Sequence, residues 1–147
     1  MQRILFVCLG NICRSPAAEA VFAARARDAG LRVATDSAGT SGWHVGEPPY
    51  GPMIAAAARR GYDLSALRAR QVSADDFAAF DLVLAMDRSN LADLAALRPA
   101  ASSAELALFL GQGEVPDPWY SRDFDAALDL IEEGADRVLA RLGATGA

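Results

Sequence analysis

The chain has 147 residues, 52% hydrophobic and 22% charged, which suits one compact domain spanning 1–147 and excludes a disordered, fibrous or disulfide-stapled chain. A net charge of −5 and a pI near 4.8 argue against a broad nucleic-acid or anionic-membrane footprint, although local backbone dipoles can still hold a small anion. No stretch approaches the ~20 apolar residues of a membrane span, and the opening run meets Cys8 and Gly10 too soon for a signal-peptide core, so a cytoplasmic location is expected.

Residues 3–8 are an apolar run without polar alternation, as expected of a strand covered on both faces at the centre of a parallel sheet. Ser15 and Pro16, then Ala18, Phe22, Ala26 and Ala29 at three-to-four spacing, then Gly30, predict a capped helix with an apolar face and a C-terminal stop. A second strand is predicted over 31–37, a Gly/Pro-rich surface loop over 39–52 and a short helix over 52–60 closed by Gly61. Residues 81–86 predict a third strand, and Asp87 caps a following helix that turns Leu91, Leu94 and Leu97 inward. Residues 104–110 predict a fourth strand. Over 122–142, Phe124, Leu128, Ile131, Ala135, Val138 and Leu142 share one helical face, with solvated acidic residues opposite. This alternation predicts an α/β three-layer sandwich, a four-stranded parallel sheet flanked by helices on both faces. In such sheets ligands sit beyond the carboxyl ends of the strands where the strand order reverses, which singles out the loop after the first strand.

That loop runs from Cys8 through Leu9, Gly10, Asn11, Ile12 and Cys13 to Arg14 and Ser15. So tight a turn into a helix N-terminus can aim successive N–H groups inward as a nest for a phosphate dianion. Arg14 can grip two phosphate oxygens through its planar fork, and the same positive field favours a thiolate at Cys8. Alone, a cysteine ending a buried strand is usually an inert hydrophobe, and an arginine in a first helical turn is usually solvated. Together with Gly10, Asn11, Ser15 and Pro16 they read as a nucleophile in an anion hole, with Gly10 and Asn11 supplying left-handed backbone. Ser15 is either a helix cap or a donor to the thiolate. Cys13 is either packing or a redox-protective disulfide partner for Cys8.

A leaving group needs a proton donor, and Asp117, stiffened by Pro116 and Pro118, can serve as general acid, whereas on its own loop it would read as a turn aspartate. Trp43, Trp119 and Tyr120 lie in loops and can wall a slot for a flat aryl group, or be ordinary surface aromatics. His44 reads as structural or solvent-facing. Two cysteines and one histidine supply no structural zinc set.

The runs 8–16, 36–40, 69–72, 86–90 and 117–120, in that order and spacing, resemble the low-molecular-weight protein tyrosine phosphatases from about residue 3 to the final helix. The resemblance implies a cofactor-free and metal-free enzyme with a phosphocysteine intermediate, phosphotyrosine-containing protein substrates and inorganic phosphate as product. By position it implies Cys8 as nucleophile, Arg14 as transition-state clamp and Asp117 as acid then base. Leu9, Gly10, Asn11, Ile12, Cys13, Ser15, Trp43, Trp119 and Tyr120 would form the substrate site, with Asn11 and Ser15 holding the loop and thiolate. Relatives often carry a histidine where Leu67 stands, so the support of Asn11 must be completed otherwise. Similar arginine-phosphate phosphatases tend to carry threonine at position 12; Ile12 favours an aromatic ring and hence phosphotyrosine. Two rival classes remain at this stage: a thiol-relay arsenate reductase, which lacks the needed cysteine beyond Cys13, and a phosphate-binding module without turnover.

Overall fold

The computed structural model describes residues 1–145. Its elements are β1 (Gln2–Cys8), α1 (Arg14–Asp28), β2 (Val33–Gly39), α2 (Gly51–Ala58), α3 (Asp76–Ala79), β3 (Leu82–Ala85), α4 (Arg88–Leu97), β4 (Glu105–Leu108), α5 (Pro118–Ser121) and α6 (Phe124–Thr145). The sheet order is β2-β1-β3-β4, every pair parallel, with Ile4 opposite both Thr35 and Leu82. The predicted α/β sandwich and its four-stranded sheet are therefore present. No described helix is long and apolar enough to cross a membrane.

The run that suggested a central strand explains the layers. Ile4, Phe6 and Cys8 point into one core with Val21, Phe22, Met53, Leu128 and Ile131, from α1, α2 and α6. Leu5 and Val7 point into the other with Phe77, Val83 and Leu94, from α3, β3 and α4. Phe6 is fully buried, with its ring centroid 5.7 Å from those of both Phe22 and Phe109. Burying a side chain of this size contributes about 1.5–3 kcal/mol. Gly134 lies inside α6, where glycine costs about 1 kcal/mol relative to alanine. Its absent Cβ would stand 2.3 Å from Phe109 Cε2, so the gap is filled by the Phe109 ring.

Several local expectations shift. Arg14 already belongs to α1, whose N-cap is Cys13 with no side-chain cap bond, so Ser15 is not the cap. Ala29 is the exposed C-cap rather than part of the buried face. Leu97 is 37% exposed, since α4 buries Asn90 and Leu94 and Leu97 closes its last turn before Pro99. Arg122 lies outside α6, with φ 61, as the C-cap of the one-turn α5. The one-turn helices α3 and α5 had no periodicity to reveal them.

The strand order reverses between β1 and β3. The segment after β1 and Asp87, immediately after β3, therefore meet at the crevice where ligands bind in open parallel sheets.

Candidate active site

Residues 9–13 close the gap between β1 and α1 as a tight loop, and Asn11 takes the left-handed conformation with φ 56. Gly10 does not share it. There the absent side chain lets His44 approach closely, since a Cβ would stand 3.1 Å from His44 Cδ2. The loop is held from outside by the end of β2: Thr40 N–H donates to Cys8 O at 2.9 Å and Ser41 N–H to Leu9 O at 3.0 Å. At Gly39 a Cβ would meet Leu9 O at 2.7 Å, so this contact requires glycine.

Inside the loop the Cys8 sulfur receives the Asn11 N–H at 3.3 Å and lies 3.0 Å from Ser15 Oγ. The single Ser15 hydroxyl proton can go to the sulfur or to Ala38 O at 3.3 Å, and an ionised sulfur would take it. Among the described residues, the N–H groups of Ile12, Cys13, Arg14 and Ser15 have no acceptor within the protein, as expected where a loop enters a helix N-terminus.

The place of the histidine absent at Leu67 is filled from another side. Asn11 Nδ2 donates to Ser15 Oγ at 2.7 Å and Ser37 Oγ at 3.0 Å, while Asn11 Oδ1 accepts the Arg70 N–H at 3.0 Å. Ser37 in turn donates to Glu19 Oε1 at 2.7 Å, and Leu67 packs against the core. Asn11 and Ser15 are thus buried behind the cavity wall instead of lining it.

Burial is the main influence on Glu19 and raises its carboxyl above the ordinary value; the Ser37 hydroxyl opposes this, Asp36 adds to it and Arg70 opposes it. A carboxyl raised on folding gives stability that is present in acid and is lost as pH climbs from the ordinary range through the folded value. Glu19→Gln should therefore gain thermal stability relative to the parent between about pH 4 and about pH 7. Paired melting curves at the two pH values check this, and an unchanged difference in Tm contradicts it.

Arg14 is 2% exposed and is oriented by its Nη1, which donates to Asp87 Oδ2 at 2.7 Å and Val115 O at 3.1 Å. Among the described residues its Nε–Nη2 edge has no hydrogen-bond acceptor in the protein, and Nη2 forms an ion pair with Asp117 Oδ2 at 3.6 Å. Burial disfavours its charge, but Cys8, Asp87 and Asp117 outweigh that and raise Arg14 above its ordinary value. Asp117 is fixed by its own turn: Oδ1 caps α5 by accepting the Trp119 N–H at 3.0 Å, and Pro118 occupies the first helical position.

A cavity of about 150 Å³ brings together Cys8, Leu9, Gly10, Ile12, Cys13 and Arg14 with Trp43, Asp117, Trp119 and Tyr120. Trp43 and Tyr120 are 74% and 78% exposed and stand at its mouth. His44, read from the sequence as structural or solvent-facing, also lines the cavity, its Nδ1 2.5 Å from Glu47 Oε2. Burial, with Cys8 and Asp117 adding to it, pushes the Cys13 thiol up to about 12. Sequence reasoning missed His44 as a wall and Asp87 as the partner of Arg14. Asp87 does cap α4, accepting the Asn90 N–H, and that sufficient explanation concealed its second contact.

A buried sulfur inside a loop whose N–H groups have no acceptor among the described residues beyond that sulfur, with a fixed arginine and a carboxylate 3.6 Å from it, defines an α/β protein of the cysteine-and-arginine phosphate-loop class. The family model described as low molecular weight phosphotyrosine protein phosphatase matches residues 3–146. The chain belongs to this family of cysteine-dependent phosphatases. It is 44% identical over 151 residues to a low molecular weight protein-tyrosine-phosphatase of Streptomyces coelicolor, covering 94% of this chain and 92% of that one. It is 39% identical over 150 residues to the low molecular weight protein-tyrosine-phosphatase YfkJ of Bacillus subtilis, covering 97% and 96%. The crystal structure of YfkJ superposes with a TM-score of 0.94 over 100% of this chain and 98% of that one, at 37% identity. A Drosophila protein described as an arginine phosphatase superposes with a TM-score of 0.86 over 96% and 97%, at 33% identity.

Proposed function

We propose that this chain hydrolyses phosphotyrosine monoesters on proteins through a phosphocysteine at Cys8. The observation that carries the reading is the Cys8 sulfur, held by the Asn11 N–H and faced by the Ser15 hydroxyl on the floor of a cavity that also contains Arg14 and Asp117.

The dianion enters the loop and takes the free edge of Arg14 and the loop N–H groups. The Cys8 thiolate attacks phosphorus, the bond from phosphorus to the phenolic oxygen breaks, and Asp117 gives its proton to that oxygen. Water then attacks phosphorus, Asp117 takes a proton from it, and the sulfur leaves as thiolate with release of inorganic phosphate. The need for an ionised Cys8 with a protonated Asp117 gives a bell-shaped pH profile for the first step.

Ile12, on the cavity lining, presents an apolar contact to a ring, and Trp43, Trp119 and Tyr120 flank the mouth. These support an aryl phosphate over phosphoserine or phosphoarginine. Turnover of matched phosphotyrosine, phosphoserine and phosphoarginine peptides in a metal chelator tests the choice. Preference for phosphotyrosine is expected, and preference for phosphoarginine overturns it.

Asp117→Asn should lower kcat/KM for phenyl phosphate by about 10²-fold or more and that for 4-nitrophenyl phosphate far less, because a good leaving group needs little protonation and kcat/KM excludes the hydrolysis step shared by all substrates. Steady-state kinetics across a series of aryl phosphates check this, and equal losses in kcat/KM throughout exclude Asp117 as the acid.

A further inference from the structure

Arg122 departs from what its position favours. It is the C-cap of α5 at φ 61 and ψ 9, a left-handed conformation for which glycine is the ordinary choice, yet it carries a long charged side chain. Among the described residues its guanidinium has no carboxylate in ion-pair range. Instead it lies 5.1 Å from the Tyr50 ring centroid, 5.4 Å from that of Phe124 and 6.0 Å from that of Trp119. Its Nη2 donates to the Tyr50 hydroxyl at 2.9 Å, and Tyr50 packs on Trp119 with centroids 4.8 Å apart.

Tyr50 is tied to the phosphate loop, since its N–H donates to Ile12 O at 2.8 Å. The one-turn α5 carries Asp117 and is too short to hold itself in place. Its front is fixed where Val115 donates to Met86 O at 2.9 Å and accepts from Arg14. Its rear is held by the packing of Trp119 on Tyr50 and by Arg122, which bridges to the Tyr50 hydroxyl and whose N–H closes the turn onto Pro118 O at 2.8 Å. We propose that Arg122 is a positioning residue, clamping the turn that bears Asp117 to the phosphate loop through Tyr50. This rests on the reading of Asp117 as general acid and adds to it the device that fixes the distance between acid and nucleophile. A misplacement of the acid by even an ångström slows proton transfer while leaving phosphate binding intact.

The test compares Arg122→Met, Arg122→Gly, Tyr50→Phe and Asp117→Asn on phenyl phosphate and 4-nitrophenyl phosphate. Arg122→Met should lower kcat/KM on phenyl phosphate roughly tenfold, with that on 4-nitrophenyl phosphate within about twofold and the affinity for inorganic phosphate unchanged. Arg122→Gly relaxes the backbone while deleting the clamp, so it should show the same kinetic defect even where it melts higher. Tyr50→Phe should lose less, and added to Arg122→Met it should cost nothing further. A loss in kcat/KM uniform across leaving groups, a loss of phosphate affinity that accounts for the defect, or a glycine variant with parental kinetics overturns the clamp. If Asp117→Asn is selective for the poor leaving group and Arg122→Met is not, the clamp fails alone. If Asp117→Asn shows no selectivity, the acid assignment fails and the clamp with it.

Discussion

Cys8→Ser should abolish turnover, by about 10⁵-fold or more, while inorganic phosphate still binds within about tenfold of the parental affinity. The two halves of this expectation have separate causes. A serine hydroxyl has no general base beside it here: the nearest polar groups are the Asn11 N–H and the Ser15 hydroxyl, and both stabilise a charge already formed on sulfur. The anion site consists of loop N–H groups and Arg14, none of which the substitution removes, and the smaller oxygen fits where sulfur stood. Phosphate titration calorimetry beside steady-state turnover separates them. Loss of binding together with turnover would mean that the substitution had collapsed the loop, and persistent turnover would remove Cys8 from the chemistry.

Arg14→Lys should be the other severe change, lowering kcat/KM about 10³-fold. The structure holds the guanidinium plane by one nitrogen, Nη1, on Asp87 and Val115 O, which leaves the Nε–Nη2 edge without a hydrogen-bond acceptor among the described residues. A lysine ammonium can satisfy Asp87 or the anion, but it has no second planar edge with which to do both. Because the charge spreads over three equatorial oxygens only as the phosphorus becomes trigonal, the loss should fall on the transition state. Affinity for vanadate, which adopts that trigonal geometry, should therefore drop in step with kcat/KM, and phosphate affinity much less. Equal losses for the two anions would reduce Arg14 to a ground-state binding group.

How far the residues disclosed this arrangement varied with the range of the interaction. The phosphate loop was legible because its parts are local: an apolar strand, a turn too short to do anything but curl, and a helix start. The sheet was legible from runs such as 3–8 and 81–86, whose lack of alternation already implies cover on both faces. Asp87 was only half legible, since its capping bond to Asn90 is local and its ion pair with Arg14 joins the ends of two strands far apart in the chain. Arg122 was misread as the start of the last helix because nothing local marks a left-handed arginine, and the rings that stabilise its side chain come from three separate segments. Leu67 showed only that the support of Asn11 had to be completed otherwise. The support instead comes from Ser37 and Glu19, whose side chains meet only once β2 lies beside α1.

The central claim is that phosphorus is transferred to the sulfur of Cys8. Mass spectrometry of the acid-quenched enzyme during the first turnover tests it most directly. The account predicts a phosphoryl adduct on the peptide containing Cys8, formed and lost at rates that match turnover. Turnover proceeding with no such adduct, or with the adduct on another residue, would contradict it.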